Sequence, residues 1–455
     1  MRSKNVAFLL GSGVSLPFQE KPANARYNPI STQGITESLL EDRWCKTGPW
    51  LFEKGNTQKS FEHGCDEQKF IYLLYNQVSD VLLAREGHLP NYEDLYEYLV
   101  QIDQHASGKN TNPLIANTVL NLQNASINFP PSYHTNNPFA ALAGNAIKLI
   151  EKAILQTLLP LTPVLGTQHP KPLDDHLRLI VDASRYFGNI DVFTLNHDLL
   201  LEEYLRQTDI GCCDGFGFLQ QNRVDYCDGF SHWDGDIARF RFNNLFDSWC
   251  SAKEPFCRLI KLHGSINWFR ERGNAYEFSI SDRYIKVMPG KRNGRGRDCI
   301  RDGTGNCVDY YEYDPVLLSG TVEKEKEYGR GIFGAMFWKF RERLYHCDTL
   351  ICGGYGWLDY GVNVCVDEWL NSAPEHRLII LHDMQKDDLR KKRFWEDVWD
   401  PEDKWTSYEK AEKLIHVNKW LCNCTWSDIQ QYFIPCNGCR VQTQTCAAAA
   451  IEGKV

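Results

Sequence analysis

The chain has 455 residues and 43% of them are hydrophobic, so it can bury the core of two or three domains or of one large domain with insertions. Its formal net charge of -9 argues against the clustered basic residues of a nucleic-acid-binding protein. No apolar run reaches the roughly 18 residues that span a bilayer, and the first residues lack the features of a signal peptide. We therefore expect a cytoplasmic protein with no membrane-spanning segment and no direct contact with nucleic acid.

Short, continuous apolar runs recur along the chain, and each ends in a polar or glycine-containing turn. Such runs are typical of strands that are buried on both faces of a parallel sheet. We predict strands at 6–10, 191–194, 259–262, 316–318, 349–352 and 378–381. Ligands of open parallel sheets bind beyond the carboxyl ends of the strands, so the turns that follow these runs are the candidate site.

Two insertions and a tail interrupt this pattern. Residues 40–185 have helical spacing, with helices expected at 66–83, from an Asn91 cap through Ile102, and at 145–159, and with a loop at 107–138. Residues 210–251 are aromatic and acidic and could form an interface or a lid. We expect a helical extension over 386–455, with one helix capped by Ser427 and Gln430.

A glycine-rich turn, Gly11-Ser12-Gly13-Val14-Ser15, follows the first predicted strand. Glycines let the backbone approach an anion closely, and the N–H groups of the next turn can point at it. Strand-to-helix turns with two glycines also occur without any ligand. By itself the turn is either a phosphate site or an ordinary connection.

Asn196 and Asp198 end the second predicted strand two residues apart, and so share a face. An Asn amide can hold a ribose hydroxyl and a water together, and Asp198 can orient a partner or accept a hydrogen bond from an amide. The alternative is a turn in which both side chains cap the local backbone. The intervening His197 should point the other way, and we interpret it as structural.

His263 follows the third strand within the segment KLHGSINW, with Gly264 beside it. An imidazole with a pKa near ~6.5 can accept a proton at neutral pH, and against a ribose hydroxyl or water it contributes roughly 10²–10⁴-fold to a rate. A lone histidine at a strand end is often structural. Its occurrence with the two other turns favours a catalytic role.

Later strand ends supply further candidates. Asp359 and Asn363 could hold ligand hydroxyls or cap the next helix. The other candidate cofactor-binding residues at strand ends are Ser265, Ser319, Gly320, Thr321, Gly354, Tyr355 and Gly356.

The chain has 17 cysteines, which we expect to be thiols, most of them small buried hydrophobes. The spacing of Cys422, Cys424, Cys436 and Cys439 could provide four thiolates for zinc. We expect no metal.

The order GSGVS, TLNHD, KLHGSINW and GGYGWLD resembles the sirtuin-like superfamily, and in particular the bacterial sirtuin-like NADases of antiphage defence. The resemblance covers roughly residues 5–383. It implies an α/β fold, a Rossmann-like parallel sheet with helices on both faces, in a catalytic domain over 1–385 that carries the helical insertion and is followed by the C-terminal helical extension. It also implies NAD+ as the ligand.

The resemblance assigns roles to the turns. Gly11, Ser12, Gly13 and Ser15 would line the phosphates and the neighbouring ribose. Asn196 and His263 would match the catalytic Asn and His, and Asp198 the nicotinamide-side Asp. The Gly-Ile-Pro-Asp-Phe-Arg segment and the paired Cys-x-x-Cys module of deacylating sirtuins are missing. These losses favour water as the acceptor, which gives nicotinamide and ADP-ribose.

The resemblance further implies a gated activity that depletes NAD+ in abortive infection, a homo-oligomer, and a motor ATPase of the HerA type or a phage-derived trigger as partner. Two alternatives stay open at this point. One is an NAD-dependent protein deacylase or ADP-ribosyltransferase. The other is a non-catalytic regulatory module that binds NAD or ADP-ribose.

Overall fold

The computed structural model describes residues 5–18, 26–40, 64–86, 88–109, 113–124, 137–158, 173–220, 223–225, 237–240, 255–272, 284–287, 299–301, 307–311, 315–320, 323–390 and 404–433. The helices are α1 (Thr32–Leu40), α2 (Gly64–Glu86), α3 (Tyr92–Ala106), α4 (Pro113–Asn124), α5 (Pro138–Leu158), α6 (Leu173–Phe187), α7 (Leu200–Arg206), α8 (Glu323–Glu327), α9 (Gly331–Tyr345), α10 (Tyr360–Ser372), α11 (Lys386–Arg390), α12 (Lys404–Lys410) and α13 (Trp426–Ile429). The strands are β1 (Val6–Leu10), β2 (Asn189–Thr194), β3 (Gly211–Cys213), β4 (Phe216–Gln220), β5 (Arg223–Asp225), β6 (Ile237–Phe240), β7 (Phe256–Lys261), β8 (Trp268–Arg272), β9 (Tyr284–Val287), β10 (Cys299–Arg301), β11 (Cys307–Tyr311), β12 (Thr349–Gly353), β13 (Arg377–Leu381) and β14 (Leu414–Val417).

A parallel sheet of seven strands organises the fold, in the order β14-β13-β12-β1-β2-β7-β3. Its central strand β1 pairs in parallel with β12 on one side and β2 on the other. The chain builds the β2 side first and the β12 side later, so the order reverses between β1 and β12. In doubly wound sheets, such a switch point opens a crevice at the carboxyl ends of the strands.

Helices cover both faces of this sheet, which confirms the predicted Rossmann-like α/β fold. Alternate side chains of β1 enter two different hydrophobic cores, Val6, Phe8 and Leu10 the first and Ala7 and Leu9 the second. The first core includes residues of α1–α7, and the second includes residues of α9, α10 and α12. Burial on both faces explains why these strands are continuous apolar runs rather than alternating ones.

The described part of the first insertion is largely helical, as predicted, and α2, α3 and α5 confirm the three helices expected there. Asn91 caps α3 by accepting from the Glu93 N–H at 2.8 Å, and Asp94 accepts from the Asn91 N–H at 2.9 Å. The loop expected at 107–138 was wrong in part, because α4 lies within it. Three residues at helical spacing, Ile115, Val119 and Leu122, are buried in the core and outweigh the polar composition of that stretch.

A second sheet, with antiparallel pairing, has the order β10-β11-β8-β9-β6-β4-β5. The insertion at 210–251 supplies β4, β5 and β6 to it, and β3 to the parallel sheet. The rest of this sheet comes from the chain between β7 and α8. The aromatic residues of the insertion therefore belong, where described, to sheet structure.

Two local predictions failed. Residues 316–318 form no strand but a single bridge between Leu317 and Gly264. The last helix, α13, is capped by Thr425 rather than Ser427, since Asp428 accepts from the Thr425 N–H at 2.8 Å. The tail also contributes a strand, because β14 pairs in parallel with β13.

Of the helices in the described part of the chain, none has both the length and the apolar composition to cross a bilayer.

Candidate active site

A cleft lies at the carboxyl ends of β1, β2, β7 and β12, with about 990 Å³ of space between its atoms when the mouth is included. Turns after these four strands form its floor, while α3 and Lys324 of α8 close one side. The cleft therefore occupies the switch point of the parallel sheet.

The structure brings most of the predicted site residues to this cleft. Those that line it are Gly11, Ser12, Ser15, Asn196, Asp198, His263, Gly320, Tyr355, Gly356 and Asp359. Five predicted residues do not line it: Gly13, Ser265, Ser319, Gly354 and Asn363. Thr321 lies outside the described residues. His197, which strand alternation predicts to point away, lines the cleft too.

The glycines of the first turn pack against the turn that follows β12. A Cβ on Gly11 would lie 2.5 Å from the Gly354 carbonyl oxygen, and a Cβ on Gly13 would lie 2.8 Å from the Gly354 Cα. Gly354 itself has φ +63°, a conformation that favours glycine. Close contact between two backbone turns thus explains these three glycines without a ligand.

The same turn uses most of its N–H groups internally. Gly11 and Gly13 donate to the carbonyl oxygens of Gly353 and Gly354 at 3.0 Å, and Val14 and Ser15 donate within the turn. Among the described residues, the Ser12 N–H is the amide of this turn that has no such bond. The turn can therefore offer an anion the Ser12 N–H and hydroxyl, but not a row of free amides.

Ser15, Asn196 and Asp198 form a hydrogen-bonded chain along the cleft floor. The Ser15 hydroxyl donates to Asp198 Oδ2 at 2.5 Å and accepts from Asn196 Nδ2 at 2.9 Å. Because the single hydroxyl proton is directed at the carboxylate, only the NH₂ group of Asn196 can face Ser15. This fixes the amide orientation and leaves Asn196 Oδ1 buried without a partner among the described residues.

A buried lysine positions the Asp198 turn. Lys261 Nζ lies 2.7 Å from Glu202 Oε1 and also donates to the Asp198 backbone carbonyl. Both side chains of this ion pair are at most 2% exposed. Lys261 therefore ties the end of β7 to the turn between β2 and α7. Its place in an otherwise apolar strand run was the sequence signal for this role, and sequence reasoning missed it.

His263 is held by a carboxylate and a phenol. Its Nε2 lies 2.8 Å from Asp359 Oδ2 and 2.9 Å from the Tyr328 hydroxyl, which itself donates to Asp359 Oδ2 at 2.6 Å. A carboxylate oxygen can only accept, so Nε2 must carry the imidazole proton. Nδ1 then keeps its lone pair and has no partner among the described residues. The other Asp359 oxygen caps α10 through the Val362 N–H at 3.0 Å.

The histidines of the cleft are neutral at neutral pH. Burial lowers the pKa of His263 below its ordinary 6.5, and the nearby Lys324 ammonium lowers it further, against the opposing effect of Asp359. Burial and the neighbouring His263 lower the pKa of His197 further still. Burial alone would raise the pKa of Asp359, but its hydrogen bond to His263 makes the net shift downward, so this group stays a carboxylate. His263 is thus an oriented, unprotonated base.

Sequence reasoning did not find Tyr328, Lys324 or Glu93, all of which bear on the cleft. None lies in a turn after a strand, and folding alone brings α3 and α8 to the site. Among the described residues, no group of three His, Cys, Asp or Glu side chains is placed to hold a metal. The proposed zinc set includes Cys436 and Cys439, which lie outside those residues.

No known protein family model matches the chain, and no curated protein matches it either.

Proposed function

We propose that the chain is a sirtuin-like NAD+ hydrolase, which cleaves the nicotinamide–ribose bond to give nicotinamide and ADP-ribose. One observation carries the proposal. Asn196 and His263, from different strands, line one cleft at the switch point of a Rossmann-like sheet. Dinucleotides bind at this position in doubly wound folds.

Asn196 would position the acceptor. Its Oδ1 is buried, fixed in direction by the bond to Ser15, and lacks a partner among the described residues. An unsatisfied buried acceptor costs about 1–3 kcal/mol, and a water or a ribose hydroxyl that donates to it removes this cost. Asp198 would act through Ser15 and the turn, because its two oxygens accept from the Ser15 hydroxyl and the Leu200 N–H.

His263 would serve as the general base. Departure of nicotinamide leaves an oxocarbenium-like ribose, which a deprotonated water or hydroxyl attacks. The lone pair on Nδ1 can accept that proton, and the Asp359 carboxylate stabilises the imidazolium that forms. Two of the carboxylates that line the cleft, those of Asp198 and Asp359, also favour positive charge on the ribose.

The test is incubation of the purified chain with NAD+ alone, with nicotinamide and ADP-ribose measured by liquid chromatography. We expect Asn196→Ala and His263→Ala to lower turnover by at least about 10²-fold, with unfolding midpoints close to wild type. His346→Ala is the matched control, since His346 is exposed and lies outside the cleft. Turnover by both cleft variants at the wild-type rate would refute the assignment.

The wider role rests on the resemblance. We propose a gated, cytoplasmic, homo-oligomeric enzyme that depletes NAD+ in antiphage defence, with a phage-derived trigger or a HerA-type ATPase as partner. The same assay separates the alternatives. A deacylase or transferase needs a protein acceptor to consume NAD+, and a regulatory module binds ADP-ribose without consuming NAD+. Lysate from phage-infected cells is the reagent that tests the gate.

A further inference from the structure

The cleft has an excess of negative charge. Three carboxylates line it, those of Glu93, Asp198 and Asp359, whereas Lys324 is the one ammonium among its described lining residues. The two histidines there are neutral because burial lowers the pKa of each. A nucleotide with two phosphates would meet repulsion in this cleft unless a cation were available to it.

The glycine-rich turn cannot supply enough compensation. Its amides, apart from that of Ser12, are already donors within the protein. Phosphate sites that lack such amides use the ammonium of a lysine or the guanidinium of an arginine. Lys324 is the described group of that kind at this cleft.

Lys324 already holds an anion at the cleft wall. Its Nζ lies 3.2 Å from Glu93 Oε1, and the two side chains are 6% and 19% exposed. Glu93 belongs to the first turn of α3 in the helical insertion, while Lys324 belongs to α8. The ion pair therefore joins the insertion to the sheet domain at the edge of the site.

We propose that Lys324 binds a phosphate of the nucleotide, and that the Glu93 carboxylate occupies the place of that phosphate until the nucleotide binds. Binding exchanges one anion for the other on the same ammonium. The exchange releases α3 from α8, so occupancy of the cleft is communicated to the helical insertion. This inference rests on the nucleotide ligand of the proposed function, but not on its hydrolysis.

The experiment measures the Kd of the full chain for ADP-ribose and for adenosine by calorimetry at low salt. ADP-ribose carries two phosphates and adenosine none. We expect Lys324→Gln to raise the Kd for ADP-ribose at least tenfold, about 1.4 kcal/mol, and to leave the value for adenosine unchanged. Glu93→Gln should lower the Kd for ADP-ribose severalfold, because the competing anion is gone. Lys326→Gln, an exposed lysine on the same helix, is the matched control and should bind as wild type does.

Several results would overturn the inference. The first is a wild-type chain that does not bind ADP-ribose. The second is a Lys324→Gln variant whose affinity for ADP-ribose is unchanged, or whose affinity for adenosine falls by the same factor. The third is a Glu93→Gln variant that binds ADP-ribose more weakly than wild type. The gain expected of Glu93→Gln cannot come from misfolding, which protects the test from a damaged variant. Failure of the hydrolase proposal looks different, since NAD+ then stays intact while ADP-ribose binding keeps its dependence on Lys324.

Discussion

Replacing Lys261 by methionine should destabilise the fold strongly, because it removes the hydrogen-bonded counter-ion of a buried carboxylate. The Glu202 carboxylate is 2% exposed and lies 2.7 Å from the Lys261 ammonium. Methionine fills much of the same volume, so the cavity contribution is small. The main effect is electrostatic.

The size of the stability loss follows from the buried groups that lose their hydrogen-bond partner in the Lys261→Met variant. Breaking a buried ion pair by removing one partner costs about 3–5 kcal/mol. The Asp198 carbonyl, which also accepts from Lys261, loses a donor, and a buried acceptor left unsatisfied costs about 1–3 kcal/mol. We expect Lys261→Met to lower the free energy of unfolding by at least about 3 kcal/mol.

A second variant separates the two contributions. Lys261→Met combined with Glu202→Leu removes both charges and leaves only the Asp198 carbonyl unsatisfied. Since apolar replacement of a buried ion pair is often neutral, the double variant should lose only about 1–3 kcal/mol. It should therefore be more stable than the single variant, although it carries more substitutions.

Urea denaturation followed by tryptophan fluorescence and by circular dichroism checks both values, with the slope used to confirm that the same surface unfolds. Arg178→Met is the control, because its ion pair with Asp182 is half-exposed and such pairs contribute about 0–1 kcal/mol. A Lys261→Met variant within 1 kcal/mol of wild type, or a double variant less stable than the single one, would show that the buried charge does not dominate.

Three further outcomes are expected. NAD+ turnover should fall only as pH drops below the ordinary histidine pKa of 6.5, because burial and Lys324 lower the pKa of His263. Lys324→Gln should move this acidic limb of the pH–rate profile to higher pH. A shift of the limb to lower pH in that variant would contradict the argument. Asp359→Asn should lower kcat by about 10²–10⁴-fold, with little change in the unfolding midpoint, since Asn also caps α10; kcat near wild type would remove the carboxylate from the mechanism. Gly11→Ala should cost about 1–3 kcal/mol of stability through overpacking, whereas Gly329→Ala, whose Cβ would meet its nearest atom only at 3.7 Å, should be close to neutral in the same urea titration.

Patterns local in sequence predicted the central part of the fold. The runs at 6–10, 349–352 and 378–381 became β1, β12 and β13, because strands covered on both faces must be apolar throughout. The four-residue strand β14 was not predicted, because it is partly exposed at the edge of the sheet and so lacks a continuous apolar run. The strand predicted at 316–318 was wrong because the apolar side chains of this run are buried against the His263 turn, and not within a hydrogen-bonded sheet.

The residues of the candidate site, too, could be predicted only where a local sequence pattern marks them. Turns after strands could be found from the sequence, and they supply Asn196, Asp198 and His263. Asp359 was expected to hold a ligand hydroxyl or to cap the next helix. The structure shows the cap, through one carboxylate oxygen, and places the other oxygen on His263. Tyr328 lies 65 residues from that histidine along the chain, and no local pattern indicates such a contact. The partners that tune a site come from tertiary packing.

The bridge between Gly264 and Leu317 has a mechanical consequence. Gly264 has φ +80°, and a Cβ there would overlap the Val316 carbonyl oxygen. Leu318 donates to the His263 carbonyl at 2.9 Å, and Val316 donates to Trp268 at 2.8 Å. These backbone hydrogen bonds couple the histidine turn to the 315–320 segment on both sides of the bridge. We therefore expect a displacement of the 315–320 segment, which precedes α8, to displace the His263 imidazole as well, even when it makes no contact with the ligand.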